Sequence, residues 1–204
     1  MEDNKIKILL LDVGGVLIKL NWKNFFKTLG LKEVVNGVDI RRWFDKDSKH
    51  YALEKGLVDF SEFYEDFKSH FSLPITLKDF EKAWNSILEG THYGVDNLLE
   101  EARGGVPLKV LSNTNKVHFD LYSTWGPFKH FDQFFLSFEL GVRKPEKEIY
   151  KKVLEETKVR PQDILFVDDM EANLKEAKAM GLQAEFCLNS VNDLKNILLK
   201  YRII

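Results

Sequence analysis

Five short apolar runs, each closed by polar residues, constrain this chain more than any other feature. The first is Ile6 to Leu11, IKILLL, which stops at Asp12-Val13-Gly14-Gly15. The others are Leu108 to Leu111, Gln133 to Leu136, Ile164 to Val167 and Ala184 to Cys187. A dense run of this length suits a strand buried on both faces, as in a parallel sheet. Helical patterns separate the runs, near residues 96–103, 117–124, 146–158, 171–180 and 191–201. Strands alternating with helices predict an α/β fold with a parallel sheet and right-handed crossovers.

Residues from about 18 to 95 carry a different pattern. Phe60, Phe63, Phe67 and Phe71 share one helical face, and Phe80, Trp84, Ile87 and Leu88 share another. Asp59 or Ser61 can start the first of these helices and Thr76 the second. The aromatic stripes read as the core of a small helical bundle, not as a cofactor box. The predicted organisation is a catalytic core of residues 1–17 plus 96–204, with an inserted α-helical cap of residues 18–95. The chain enters the cap near residue 18 and leaves it near Glu89-Gly90-Thr91-His92.

A chain of 204 residues can bury one core together with such an insertion. Its formal net charge is -2 and no basic run stands out, so neither a nucleic-acid nor a membrane partner is predicted. The N-terminus opens with acidic Met1-Glu2-Asp3-Asn4, and the apolar run after it is too short to span a bilayer. One cysteine, Cys187, cannot form an internal disulfide, which points to a cytoplasmic protein. Cys187 itself reads as a packed residue near a strand end. A monomer is expected. The five histidines form no close pair and only one Cys is present, which argues against a zinc site.

In open α/β sheets ligands bind at the carboxyl ends of the strands. The polar residues there are Asp12 after the first run, Ser112-Asn113-Thr114-Asn115 after the second, Lys144 in the loop after the third, and Asp168-Asp169 after the fourth. Each alone has an ordinary structural role. Asp12 can shape a turn, Ser112 or the Asp pair can cap a helix, and Lys144 can be a solvated lysine. Their arrival at four strand ends is harder to explain structurally, and it suits phosphoryl transfer. Asp12 can attack phosphorus, and Ser112 can hold a phosphate oxygen. Lys144 can balance the gathered negative charge, and carboxylates with a backbone carbonyl can bind Mg²⁺.

The segments DVGGVL (12–17), VLSNTN (110–115), GVRKPEKEIY (141–150) and FVDDMEANLKEAKAMG (166–181) resemble the four motifs of the haloacid dehalogenase superfamily, in order. Within it, SNTNKVH (112–118) and GVRKPE (141–146) resemble the branch containing the bacterial α-D-glucose-1-phosphate phosphatase. The last segment also resembles the phosphatase domain of mammalian soluble epoxide hydrolase. The resemblance implies a Rossmann-like core, a helical cap and hydrolysis of a small phosphate ester with Mg²⁺. By position it makes Asp12 the nucleophile and a metal ligand, with the Gly14 carbonyl and Asp169 as further ligands. Asp168 ligates or holds metal-bound water. Ser112 and Lys144 bind phosphate with Asn113, and Glu54 and Lys55 of the cap contact substrate. Gly56 beside them suits a tight turn aimed at the core.

The family phosphatases usually carry a second Asp two residues after the nucleophile, to protonate the leaving group. Here that residue is Gly14, as in the branch this chain resembles. Glycine keeps a carbonyl but has no acid to give, so His50 or Glu54 of the cap becomes a candidate proton source. Gly14 favours a competing reading, a catalytically weak phosphate-binding protein that kept the fold and metal site. A haloacid dehalogenase also uses an aspartate nucleophile but no metal, and the paired Asp168-Asp169 argues against it.

Overall fold

The computed structural model describes residues 5–31, 34–35, 38–39, 43–44 and 49–204; the acidic N-terminal residues 1–4 lie outside it. In chain order, β1 (Ile8–Leu11) is followed by β2 (Ile18–Leu20), α1 (Trp22–Thr28), β3 (Val34–Val35) and β4 (Val38–Asp39). Next come α2 (Lys49–Glu54), α3 (Phe60–Phe71), α4 (Leu77–Asn85), β5 (Leu88–Thr91) and α5 (Val95–Arg103). The remainder is β6 (Leu108–Ser112), α6 (Lys116–Tyr122), β7 (Gln133–Leu136), α7 (Ser137–Leu140), α8 (Lys147–Thr157), β8 (Ile164–Asp168), α9 (Glu171–Ala179), β9 (Gln183–Phe186) and α10 (Val191–Lys200).

The main sheet has five strands in the order β7-β6-β1-β8-β9, and every pairing is parallel. All five apolar runs are therefore strands, and the α/β parallel sheet expected from them is present. Side chains alternate across it as the pleat requires. Leu9 and Leu11 face a core shared with Leu98, Leu99 and Leu194, whereas Ile8 and Leu10 face Ile149, Tyr150 and Leu174. Both faces are covered, which is why these runs are apolar throughout and not alternating.

A third apolar cluster belongs to the insertion. Phe25, Phe63, Phe67, Phe80 and Trp84 are each at most 1% exposed, with ring centroids such as those of Phe67 and Phe80 only 5.0 Å apart. Truncating one such ring to alanine costs about 3–5 kcal/mol. Asp59 caps α3: its Oδ1 accepts from the Glu62 N–H at 2.8 Å and the Asp59 N–H donates to Glu62 Oε2 at 3.0 Å. Thr76 caps α4 in the same way, with Asp79 as its partner.

The insertion is not wholly helical. β2 and β5 pair antiparallel, with Ile18 opposite Thr91 and Leu20 opposite Leu88. The chain thus leaves and rejoins the sheet through one two-stranded ribbon. Glu89 Oε1 accepts from the side-chain amides of Asn21 at 2.7 Å and Asn24 at 3.1 Å, tying ribbon to helix.

Candidate active site

The strand order places the site. β1 lies between β6 and β8, so the chain turns to opposite sides of β1 at this point, and a crevice forms at the carboxyl ends. Leu11 pairs with Val110 on one side and Val167 on the other. Asp12 therefore stands near Ser112 and Asp168, and its N–H donates to the Val167 carbonyl at 2.9 Å.

Lys144 joins the strand ends. Its Nζ donates to Asp12 Oδ1 at 2.8 Å and to Asp168 Oδ2 at 2.6 Å, and the side chain is 1% exposed. Burial disfavours the ammonium, but the two carboxylates outweigh burial and hold its pKa above the ordinary value. Asp12 is dominated by burial, which pushes its carboxyl up to about 7 against the pull of Lys144, with Asp168 adding to the rise. Burial, then Asp168, also raises Asp169.

The two acids of the fourth motif are not equivalent. Asp168 is buried, and besides Lys144 it accepts from the Met170 N–H at 2.8 Å and from Asn173 Nδ2 at 2.9 Å. Asp169 is half-buried and sits against Gly15, where a Cβ would collide with its carboxylate. Gly15 also has φ +72°, so both space and backbone require glycine there.

A divalent cation fits this geometry. Carboxylate oxygens of Asp12, Asp168 and Asp169 lie within 4.8 Å of one another, and a set of hard oxygens is what Mg²⁺ selects. The carbonyls flanking Gly14 are engaged: Val13 accepts from the N–H groups of Leu17 and Ile18, and Gly15 from that of Asn189.

Asn113 turns its side chain to the Lys144 backbone. Its Oδ1 accepts from the Lys144 N–H at 2.8 Å and its Nδ2 donates to the Lys144 carbonyl at 2.9 Å. It thereby fixes the height of Lys144 while lining the same cavity as Ser112. That cavity, about 100 Å³, lies beside Gly14 and is walled by Trp22, Trp84, His50 and Glu54 from the insertion. His118 lies on Trp84 at 5.0 Å with rings nearly parallel, and its Nε2 meets the Trp84 carbonyl at 3.0 Å. Burial pulls His118 down to about 4, so it is neutral at pH 7.

Glu54 and Lys55 separate. Glu54 lines the cavity and pairs with Arg143 at 2.8 Å, whereas Lys55 pairs with Glu146 at 2.7 Å and is not among the residues lining the cavity. Gly56 turns with φ +65° directly against the Phe138 carbonyl, leaving no room for a Cβ. Four further residues were not singled out from the sequence: Arg143, Asn173, Leu20 and Tyr122, whose buried phenol lines the cavity. Arg143 and Asn173 fall inside quoted motifs, so their positions were available. Leu20 and Tyr122 had no local signal.

The fold and the carboxylate–lysine cluster suit a hydrolase, and comparison with known proteins gives the family. The chain belongs to the haloacid dehalogenase-like hydrolase family, whose model matches residues 6–181. It is 24% identical to a D-ribitol-5-phosphate phosphatase of Bacteroides thetaiotaomicron, over 87% of this chain and 90% of that one. A sesquiterpene phosphatase of Aspergillus oryzae is 26% identical over 86% and 87% of the two chains. Among solved structures, a family enzyme of Bacteroides thetaiotaomicron in complex with magnesium and inorganic phosphate superposes with a TM-score of 0.77 at 32% identity, covering 89% of this chain and 93% of that one. Among the described residues no helix is long and apolar enough to cross a membrane.

Proposed function

We propose that this hydrolase is a Mg²⁺-dependent phosphatase of a small phosphorylated metabolite, acting through an aspartyl-phosphate on Asp12. The observation that carries the reading is the cluster of Asp12, Asp168 and Asp169 around the buried ammonium of Lys144. Asp12, Asp169 and the Gly14 carbonyl would hold the cation, and Asp168 contributes chiefly by holding Lys144. Bound Mg²⁺ supplies positive charge that offsets the approach of a phosphate dianion to a carboxylate.

The chain's own residues do the rest. Lys144 holds Asp12 by one oxygen, leaving the other to attack phosphorus. The bond from phosphorus to the leaving oxygen breaks, and the phosphoryl group passes to Asp12. Ser112 and Lys144 hold its oxygens, with Asn113 keeping Lys144 in place. Water then cleaves the acyl phosphate and restores the Asp12 carboxylate.

Residues 18–95 act as a cap over a core of residues 1–17 and 96–204. Trp22, Trp84, His50 and Glu54 close the cavity from that side. The ribitol-phosphate-cleaving relative and the relative that holds magnesium and phosphate support the same reading.

The test is a screen of hexose, pentitol and acyl phosphates with Mg²⁺, with and without EDTA. Turnover of at least one ester, lost with chelator and in Asp12→Asn and restored by Mg²⁺ in the wild type, is expected. Full activity in excess EDTA would sink the metal assignment. A protein that binds Mg²⁺ and phosphate but turns over none of these esters would be the weak binder that Gly14 suggests.

A further inference from the structure

The cavity beside Gly14 contains an ionisable array that phosphate binding and the metal do not use. His50 and Glu54 stand one turn apart on α2, and their side chains are 13% and 11% exposed. His50 Nε2 lies 3.6 Å from Glu54 Oε1, longer than a hydrogen bond. His50 Nδ1 is buried and meets no partner at full hydrogen-bond geometry. The imidazole is enclosed by Trp22, Phe44, Tyr51, Phe63 and Trp84, with the Phe44 backbone as its nearest polar neighbour besides Glu54. Glu54 is paired from the core: its Oε2 lies 2.8 Å from an Arg143 guanidinium nitrogen, an ion pair without hydrogen-bond alignment, and that guanidinium lies 3.7 Å from the Tyr51 ring centroid.

An imidazole steered by a carboxylate, with a third group holding the carboxylate, is an acid–base arrangement. It lines the same cavity as Gly14, where this chain has no acid of its own. We propose that His50, oriented by Glu54 and through it by Arg143, exchanges the proton with the leaving-group oxygen that Gly14 cannot supply. The inference rests on the phosphatase reading above.

The proton balance closes. As Asp12 attacks, the bond from phosphorus to the leaving oxygen breaks, and that oxygen takes the proton of the His50 imidazolium to depart as an alcohol. Neutral His50 then takes a proton from the water that attacks the acyl phosphate. Inorganic phosphate leaves, Asp12 is a carboxylate again, and His50 is an imidazolium again. Burial lowers the His50 pKa first of all; Glu54 opposes, Arg143 reinforces, and the Phe44 backbone opposes. His118 is the other titratable ring facing it. A phosphate dianion entering this enclosed cavity favours the imidazolium.

The experiment compares kcat/KM for an alkyl and an aryl phosphate from pH 5 to 9 in wild type, His50→Gln and Glu54→Gln, all with Mg²⁺. An aryl oxide leaves with little protonation. His50→Gln should therefore lose about 10²–10⁴-fold on the alkyl ester and roughly tenfold or less on the aryl ester. The alkyl-to-aryl ratio in wild type should fall as His50 deprotonates, and this limb should vanish in His50→Gln. Glu54→Gln should move the limb to lower pH, and the His50 ring resonance in NMR should titrate lower by the same amount. Equal losses on both esters in a folded His50→Gln overturn the proposal. So does an unmoved His50 resonance in Glu54→Gln, which decides the matter even if His50→Gln does not fold. A wild type inactive on both esters fails earlier, at the phosphatase reading, and takes this proposal with it.

Discussion

Leu20 occupies the space into which a side chain on Gly14 would project: a Cβ placed on Gly14 falls 2.8 Å from Leu20 Cδ1. The contact is with the tip of a side chain that is 44% exposed and can rotate away. Gly14→Asp should therefore fold, but its carboxyl has to share space with Leu20. In a His50→Gln background, Gly14→Asp alone should recover little turnover of an alkyl phosphate. Gly14→Asp with Leu20→Ala should recover at least tenfold, within the range of general-acid assistance. The readout is the alkyl-to-aryl ratio of kcat/KM. Equal recovery with and without Leu20→Ala would remove Leu20 from the explanation.

Asp168 holds Lys144 alongside Asp12, and it also accepts from Asn173 and the Met170 N–H. Asp168→Asn keeps the shape but leaves a fully buried ammonium with one carboxylate. Removing one partner of a buried pair costs about 3–5 kcal/mol. We expect stability in urea to fall by about 3 kcal/mol and turnover to drop at least a hundredfold. Asp169→Asn should instead leave stability nearly unchanged while weakening Mg²⁺ binding, measured by titration calorimetry. Equal stability losses in the two variants would refute the division of labour.

His118 gives the fold a pH dependence. Burial lowers its pKa from 6.5 to about 4, so below pH 6.5 the unfolded chain takes a proton that the folded chain refuses. Stability from this group is fully present above pH 6.5. It is lost as pH falls toward about 4 and then levels off, a total of about 3 kcal/mol. Urea unfolding at pH 7, 5.5 and 4.5 should show a steeper loss in wild type than in His118→Gln. Parallel slopes would show that another group is responsible.

The five strands and their flanking helices were legible because each run is dense, short and bounded by turn residues. The helix starts at Asp59 and Thr76 were legible because their capping partners stand three residues on. The β2–β5 ribbon was not. Ile18–Leu20 is three residues long and Leu88–Thr91 contains a glycine, so neither carries a strand pattern of its own. The four strand-end positions were legible as a set, since parallel topology alone brings strand ends together. The partners of Glu54 and Lys55 were not, because tertiary packing, not spacing along the chain, sets them against Arg143 and Glu146.

That packing makes a further expectation. Lys55 and Glu146 pair at 2.7 Å with side chains 26% and 38% exposed, so the pair is worth about 1 kcal/mol or less. If it fastens the cap to the core, Lys55→Glu should raise KM severalfold with little change in kcat. Lys55→Glu combined with Glu146→Lys should restore KM, and 0.5 M salt should blunt both effects. Failure of the double exchange to restore KM would show that Lys55 acts some other way.

Lys144 has one more consequence. Three carboxylates and one ammonium leave the cluster with a formal charge of -2, which one magnesium ion would neutralise. The resident lysine prevents the acids from forcing each other apart before any ion arrives. The nascent chain can thus complete this sheet without waiting for a cation. On the proposed Mg²⁺-dependent reading, stripping and reloading the ion should cycle activity while the fold stays whole.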